Sequence, residues 1–166
     1  MNPLTWGTMG TELLISYDVS VVNNTVLVAF NRRSMKMTFD DIKAFQQKYI
    51  SLESSGCIDD QNEANTSKKL VVPFLNKLGF AEEYLYFEEA VVKGKAIADI
   101  TIKVNGRIIM FVEVKKASNK TIDTKDLHQI TSYLNSKVVE WGILTNGKDY
   151  VLVNNEIRGD IKIKKS

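Results

Sequence analysis

The chain has 166 residues, with 22 Lys and Arg against 20 Asp and Glu, 44% hydrophobic residues and 25% charged residues. That length suffices to bury the core of one domain, and so ordinary a composition excludes a collagen-like, mucin-like, disulfide-stapled or wholly disordered chain. A single Cys and a single His argue against a zinc cage or a histidine pair, and the formal charge of +2 does not by itself announce nucleic acid.

No apolar run approaches the roughly 20 residues of a membrane helix, and no basic start precedes an apolar stretch. The expectation is a soluble, cytoplasmic protein. Glu12–Tyr17 and Thr25–Phe30 read as strands, and Asn23-Asn24 between them predicts a hairpin. Thr38-Phe39-Asp40-Asp41 resembles a capping box, and Ile42, Phe45, Tyr49 and Leu52 follow at helical spacing, predicting a helix over 39–54. Asp59-Asp60-Gln61-Asn62 is a polar joint. It divides an N-terminal hairpin-and-helix appendage, residues 1–60, from a main unit, residues 61–166.

Leu70, Val71, Phe74, Leu75 and Leu78 mark one stripe of a second helix over 62–78, closed by Gly79 and bent by Pro73. Strands are expected near 84–92, 96–104 and 107–115, then a helix near 124–136, then strands near 139–145 and 149–154. The basic tail Lys162–Lys165 reads as frayed or as an edge strand. This order predicts a mixed α/β sheet flanked by helices.

In the middle strands Ala98, Ile100, Ile102 and Val104 alternate with polar residues, and Ile108, Met110, Val112 and Val114 form the more apolar set of the next strand. Residues opposite each other on a ladder share a face, so this common even parity requires an odd loop or a bulge at Asn105-Gly106. A plain two-residue turn would put Asp99 on the side away from Glu113. With the bulge, Asp99, Glu113 and Lys115 project from one face of neighbouring strands.

Two carboxylates and an ammonium on one sheet face suit metal-assisted phosphodiester hydrolysis. Hard oxygen ligands hold Mg²⁺, and a lysine orients the attacking water or stabilises developing negative charge. Taken alone, Glu-x-Lys is an ordinary solvated strand face. The apolar lead through Phe111-Val112 and the matching Asp99 on the partner strand set it apart, because charges placed there need partners.

These residues resemble the PD-(D/E)XK nuclease superfamily, and within it the N-terminal nuclease domain of type I restriction enzyme R subunits. The resemblance runs from Asn62-Glu63-Ala64-Asn65-Thr66 through Pro73–Phe80, Ala98-Asp99, Glu113-Val114-Lys115, Gln129–Tyr133 and Trp141–Gly147. It implies a restriction-endonuclease-like fold and a Mg²⁺-dependent DNA endonuclease, with Mn²⁺ as a substitute ion and with DNA and other restriction–modification subunits as partners. Asp99 matches the motif aspartate, Glu113 the second metal-binding carboxylate and Lys115 the catalytic lysine. Glu63 matches the outer acidic residue of the first helix, and the Val114 carbonyl completes the metal set. Gln129 and Tyr133 match a Gln-x-x-x-Tyr element beside the active site that contacts DNA or positions the cleavage centre. Ala98 stands where the motif has proline. Residues 1–61 match no named family, and the helicase-like motor of full R subunits has no counterpart here.

Glu63 precedes Leu70 by two ideal helical turns, which puts it in line with the core stripe, though an acid at a helix start also complements the dipole. Gln129 and Tyr133, four apart, share a helix flank beside the stripe Leu127, Ile130 and Leu134; the plainer reading is a boundary Tyr beside a surface Gln. His128 reads as a surface residue, and Trp141 as strand core. Lys93, Lys95, Lys103, Lys115, Lys116, Lys120 and Lys125 cluster near the expected site, whereas Glu82, Glu83, Glu88 and Glu89 belong to acidic surface elsewhere. Lys116, Lys120, Lys125 and Gln129 are the candidate nucleic-acid contacts. The competing expectations are a catalytically silent nuclease-fold module for DNA binding or complex assembly, and a protein that forms homo-oligomers through residues 1–60.

Overall fold

The computed structural model describes residues 38–155, apart from Gly94 and Lys120, and the backbone of three short strands before them. Those strands are β1 (Val19–Val22), β2 (Thr25–Phe30) and β3 (Arg33–Met35), an antiparallel three-stranded sheet. The strand that pairs with β2 is therefore Val19–Val22. The strand expected at Glu12–Tyr17 and the basic tail lie outside the described residues.

The main sheet contains β4 (Leu85–Val92), β5 (Ala96–Val104), β6 (Arg107–Val114), β7 (Trp141–Thr145) and β8 (Tyr150–Asn154), side by side in chain order. All neighbours are antiparallel except β6 and β7. A parallel pair cannot be closed by a hairpin, and the crossover is made by α4 (Thr124–Lys137). The result is a mixed α/β sheet flanked by helices, as the order of elements predicts.

Helix α1 (Phe39–Ser54) starts at the expected capping box, with Thr38 Oγ1 accepting from Asp41 N at 3.2 Å and Asp41 Oδ2 accepting from Thr38 N at 2.9 Å. Its Phe45 meets Phe74 edge-on, and Phe74 stacks on Tyr150 with ring centroids 4.0 Å apart. α1 thus packs onto the face of the main sheet that carries Ile100, Ile102, Met110, Val112 and Val114.

The second helix departs from ideal geometry. It comprises α2 (Glu63–Thr66), a π-helical segment (Ser67–Val71) and α3 (Val72–Lys77), with Val72 N bonded back five residues to Ser67 O. Pro73 has no N–H for the carbonyl of Lys69, which instead accepts from Lys48 Nζ of α1. The Pro73 irregularity is therefore absorbed as a wide turn stapled by a neighbouring helix. Leu70, Val71, Leu75 and Leu78 are buried as the stripe predicts.

Between β5 and β6 the hairpin is closed by Asn105 and Gly106, both at positive φ (52° and 75°), the geometry of a type I′ turn. Val104 pairs with Arg107 and Lys103 with Ile108, but Ile102 pairs with Met110, so Ile109 is an extra residue. The required change of parity is thus made by a bulge in β6 rather than by the loop. The odd-numbered face is not solvated: α4 covers it, and Phe111, Thr101 and Glu113 are buried there.

At the end of α4, Val138 takes a left-handed conformation (φ 54°) and is 91% exposed. A β-branched residue is strained there and gains nothing from burial. Val138→Gly is expected to raise stability by about 1 kcal/mol, measured by chemical denaturation; an unchanged or lower midpoint would contradict the strain.

Candidate functional site

At the C-terminal end of β6 the ladder with β5 gives way to side-chain bonding. The last regular pair is Ile100 with Val112; beyond it the Asp99 carboxylate accepts the Val114 N–H at 2.6 Å. Asp99 is thereby locked against β6 next to Glu113. Lys115 Nζ donates to Glu113 Oε1 at 2.8 Å. The bulge at Ile109 makes this meeting possible, because without it the two carboxylates would face opposite sides of the sheet.

Lys115 is held from a second direction. Its Nζ donates to Gln129 Oε1 at 2.9 Å, Gln129 Nε2 donates to the Tyr133 hydroxyl at 2.6 Å, and that hydroxyl donates to the Ile97 carbonyl at 3.0 Å. This run of hydrogen bonds ties the lysine's position through α4 to the backbone of β5. Tyr133 is buried rather than at the boundary. Asp126, a capping-box residue of α4, adds a carboxylate 3.7 Å from Lys115 Nζ. The Asp123-x-x-Asp126 spacing is that of a capping box, and nothing local announces Lys115 as a second partner of Asp126.

Glu113 is 3% exposed, and its Oε2 is buried without a hydrogen-bond partner. Burial, and then the charge of Asp99, push its carboxyl up from an ordinary 4.5 to about 7. Asp99 is also raised, first by burial, against the lowering effect of the Val114 N–H. For Lys115 burial acts downward, yet the Glu113 hydrogen bond and charge, with Asp126 and Glu63, outweigh it and keep the ammonium protonated. A buried acceptor oxygen with no donor, between mutually repelling carboxylates, fits a divalent cation. Asp99 and Glu113 could hold it. Among the described residues no three Asp, Glu, His or Cys side chains close around one point.

Glu63 is exposed while Leu70 is buried, because the intervening π segment shifts the helical phase on which the in-line placement rested. It nevertheless lines a cleft of about 780 Å³ with Lys68, Phe87, Glu88, Asp99 and Lys116. Its charge acts on both Asp99 and Glu113. Lys125 is exposed at the start of α4, and Lys120 lies outside the described residues. Lys103 is not free for the site, since it pairs with Glu89 and lies 4.3 Å from the Tyr86 ring centroid. Glu82 and Glu88, expected on acidic surface elsewhere, also line the cleft, and the charge of Glu88, carried by β4, acts on Asp99.

Two residues that carried no expected role fix the chain after Lys115. The Ala117 N–H donates to Thr66 Oγ1 at 3.0 Å, and the Ala117 carbonyl accepts from the Tyr49 hydroxyl at 2.8 Å. The first helical segment and α1 thus clamp one peptide just beyond the lysine strand.

The pH response follows from Glu113. Its folded-state pKa lies above the unfolded value, so its contribution to stability is full below about 4.5 and is lost as pH rises through about 7. The metal-free protein is expected to lose on the order of 3 kcal/mol between pH 4.5 and 7.5 from this group. Glu113→Gln should flatten that slope in urea unfolding measured across the range; an undiminished slope would mean that the proton sits elsewhere.

No helix among the described residues is long and apolar enough to cross a membrane. No curated protein and no solved structure matches the chain. The family model described as type I restriction enzyme R protein N terminus matches residues 62–163, which takes in β4 to β8, Glu63 and the Asp99, Glu113 and Lys115 constellation. That match spans more than half of the sequence, and the chain belongs to the family of type I restriction enzyme R protein N termini.

Proposed function

We propose that this chain is a Mg²⁺-dependent DNA endonuclease module of the PD-(D/E)XK kind. The observation that carries the reading is the buried, unpartnered Glu113 Oε2 beside Asp99, with Lys115 fixed on the other oxygen of the same carboxylate. Asp99 and Glu113 would bind the ion, with Glu63 acting from across the cleft and the Val114 carbonyl adding an oxygen. When bound, Mg²⁺ neutralises charge on the scissile phosphate and lowers the pKa of a coordinated water.

The chain's own groups do the rest. Lys115 stays protonated and offers N–H donors to the water or to the developing oxyanion. Gln129 and Tyr133 position that ammonium rather than touching the phosphate. Lys116 and Lys68 line the cleft as cations for the nucleic-acid backbone. DNA is the partner this chemistry calls for, and the family's restriction-enzyme context adds other restriction–modification subunits.

A second reading is a catalytically silent module for DNA binding or assembly. It is favoured by the lack of a third acidic side chain closing on Asp99 and Glu113 among the described residues. Incubation of the purified protein with circular DNA and Mg²⁺, Mn²⁺ or chelator separates the two. Cleavage is expected with either metal and not with chelator. Asp99→Ala and Lys115→Ala are expected to lower it at least a hundredfold in protein that still unfolds in one cooperative thermal transition. Tyr133→Phe, which removes both hydrogen bonds of the hydroxyl, is expected to lower it roughly five- to tenfold. Salt-sensitive DNA binding with no metal-dependent cutting would establish the silent module, and equal cutting by Lys115→Ala would refute the site.

A further inference from the structure

In a regular strand, consecutive side chains point to opposite faces. In β4, Phe87 and Glu88 do not: both line the cleft that holds Asp99 and Glu63. The cause is Glu88, whose φ of 51° puts a non-glycine residue in the left-handed region inside an edge strand. The ladder skips it, running from the Phe87–Ile100 pair to the Glu89–Ala98 pair. Phe87 itself stands in the regular ladder opposite Ile100, lines the cleft, and its ring is 53% exposed. The neighbouring Tyr86 differs, because the Lys103 ammonium lies over its ring.

We infer that Phe87 is a stacking platform for an unpaired nucleobase, and that the preferred substrate is DNA carrying an unpaired nucleotide at the cleavage point. This rests on the nuclease reading of the same site. A base is joined to its phosphate through one sugar, so a ring at the rim of a phosphodiester-cleaving cleft meets the base of the nucleotide being processed. Within a duplex both faces of that base are covered by neighbours. A single-stranded or frayed base has a free π-face, and Lys68 and Lys116 in the same cleft supply cations for its backbone. The cleft volume, about 780 Å³, falls within the ~300–1,000 Å³ of ligand-sized sites.

The test compares wild type, Phe87→Ala and Phe87→Trp, all expected to fold because the ring is half exposed; melting curves check this. One arm follows the emission of 2-aminopurine in a single-stranded oligonucleotide bound with Ca²⁺ in place of Mg²⁺. The other measures Mg²⁺-dependent cleavage of sequence-matched DNA, fully paired or with unpaired nucleotides. Quenching is expected for wild type and Phe87→Trp and lost in Phe87→Ala. Cleavage of unpaired DNA is expected to fall about five- to hundredfold in Phe87→Ala, the range of one base–aromatic stack, with little change on duplex. Phe87-dependent quenching without any cleavage by wild type would sustain the stacking platform and remove the nuclease reading. Wild-type cleavage with the same paired-to-unpaired ratio and the same emission in Phe87→Ala would remove the platform and leave the nuclease. Absence of oligonucleotide binding by wild type would also overturn the proposal.

Discussion

A carboxylate can stay in a protein interior only if its charge is neutralised, its oxygens are hydrogen-bonded, or it takes up a proton. Glu113 meets that demand by halves. One oxygen is occupied by the Lys115 ammonium, and the other faces no donor. Asp99 alongside makes matters worse, since its charge disfavours ionisation of Glu113 and its own burial disfavours ionisation of Asp99. Such an arrangement costs stability and contributes nothing to packing that an apolar residue would not contribute better. The pair of buried Glu113 and half-buried Asp99 is the feature around which the surrounding elements are ordered.

Those elements supply rigidity from several directions. The bulge at Ile109 sets the register that brings Asp99 to Glu113. α4, laid across the same sheet face, contributes Gln129 and Tyr133 and ties Lys115 to the Ile97 carbonyl. Thr66 and Tyr49 hold the Ala117 peptide, so α1 belongs to the mechanical support of the site whatever the rest of the N-terminal segment does. The π segment before Pro73 takes its slack carbonyl to Lys48 of α1, which couples the two helices on the opposite face.

Much of this was legible where the determinant is local and periodic. Alternation in β5 and β6 by itself demands a parity change, and the four-residue spacing of Gln129 and Tyr133 puts them on one flank. The remainder depends on partners remote in sequence. Tyr133 reaches the Ile97 carbonyl and Asp126 approaches Lys115 only because α4 is folded back over the sheet. Phe111, an apolar residue at an odd position, is the local sign that this face is covered. Glu63 was misphased because ideal helical spacing has no means of registering a π turn. The left-handed Glu88 carries no residue-type signature, since glycine or asparagine usually marks that conformation.

Direct measurement of divalent-ion binding bears most closely on the pair of Asp99 and Glu113. Titration of Mn²⁺ into the purified protein at pH 7.5, followed by the electron paramagnetic resonance signal of the free ion, is predicted to show saturable binding in wild type. That binding should be strongly weakened in Asp99→Ala and in Glu113→Gln and should be competed by Mg²⁺. Equal Mn²⁺ uptake by wild type and Glu113→Gln would contradict the account.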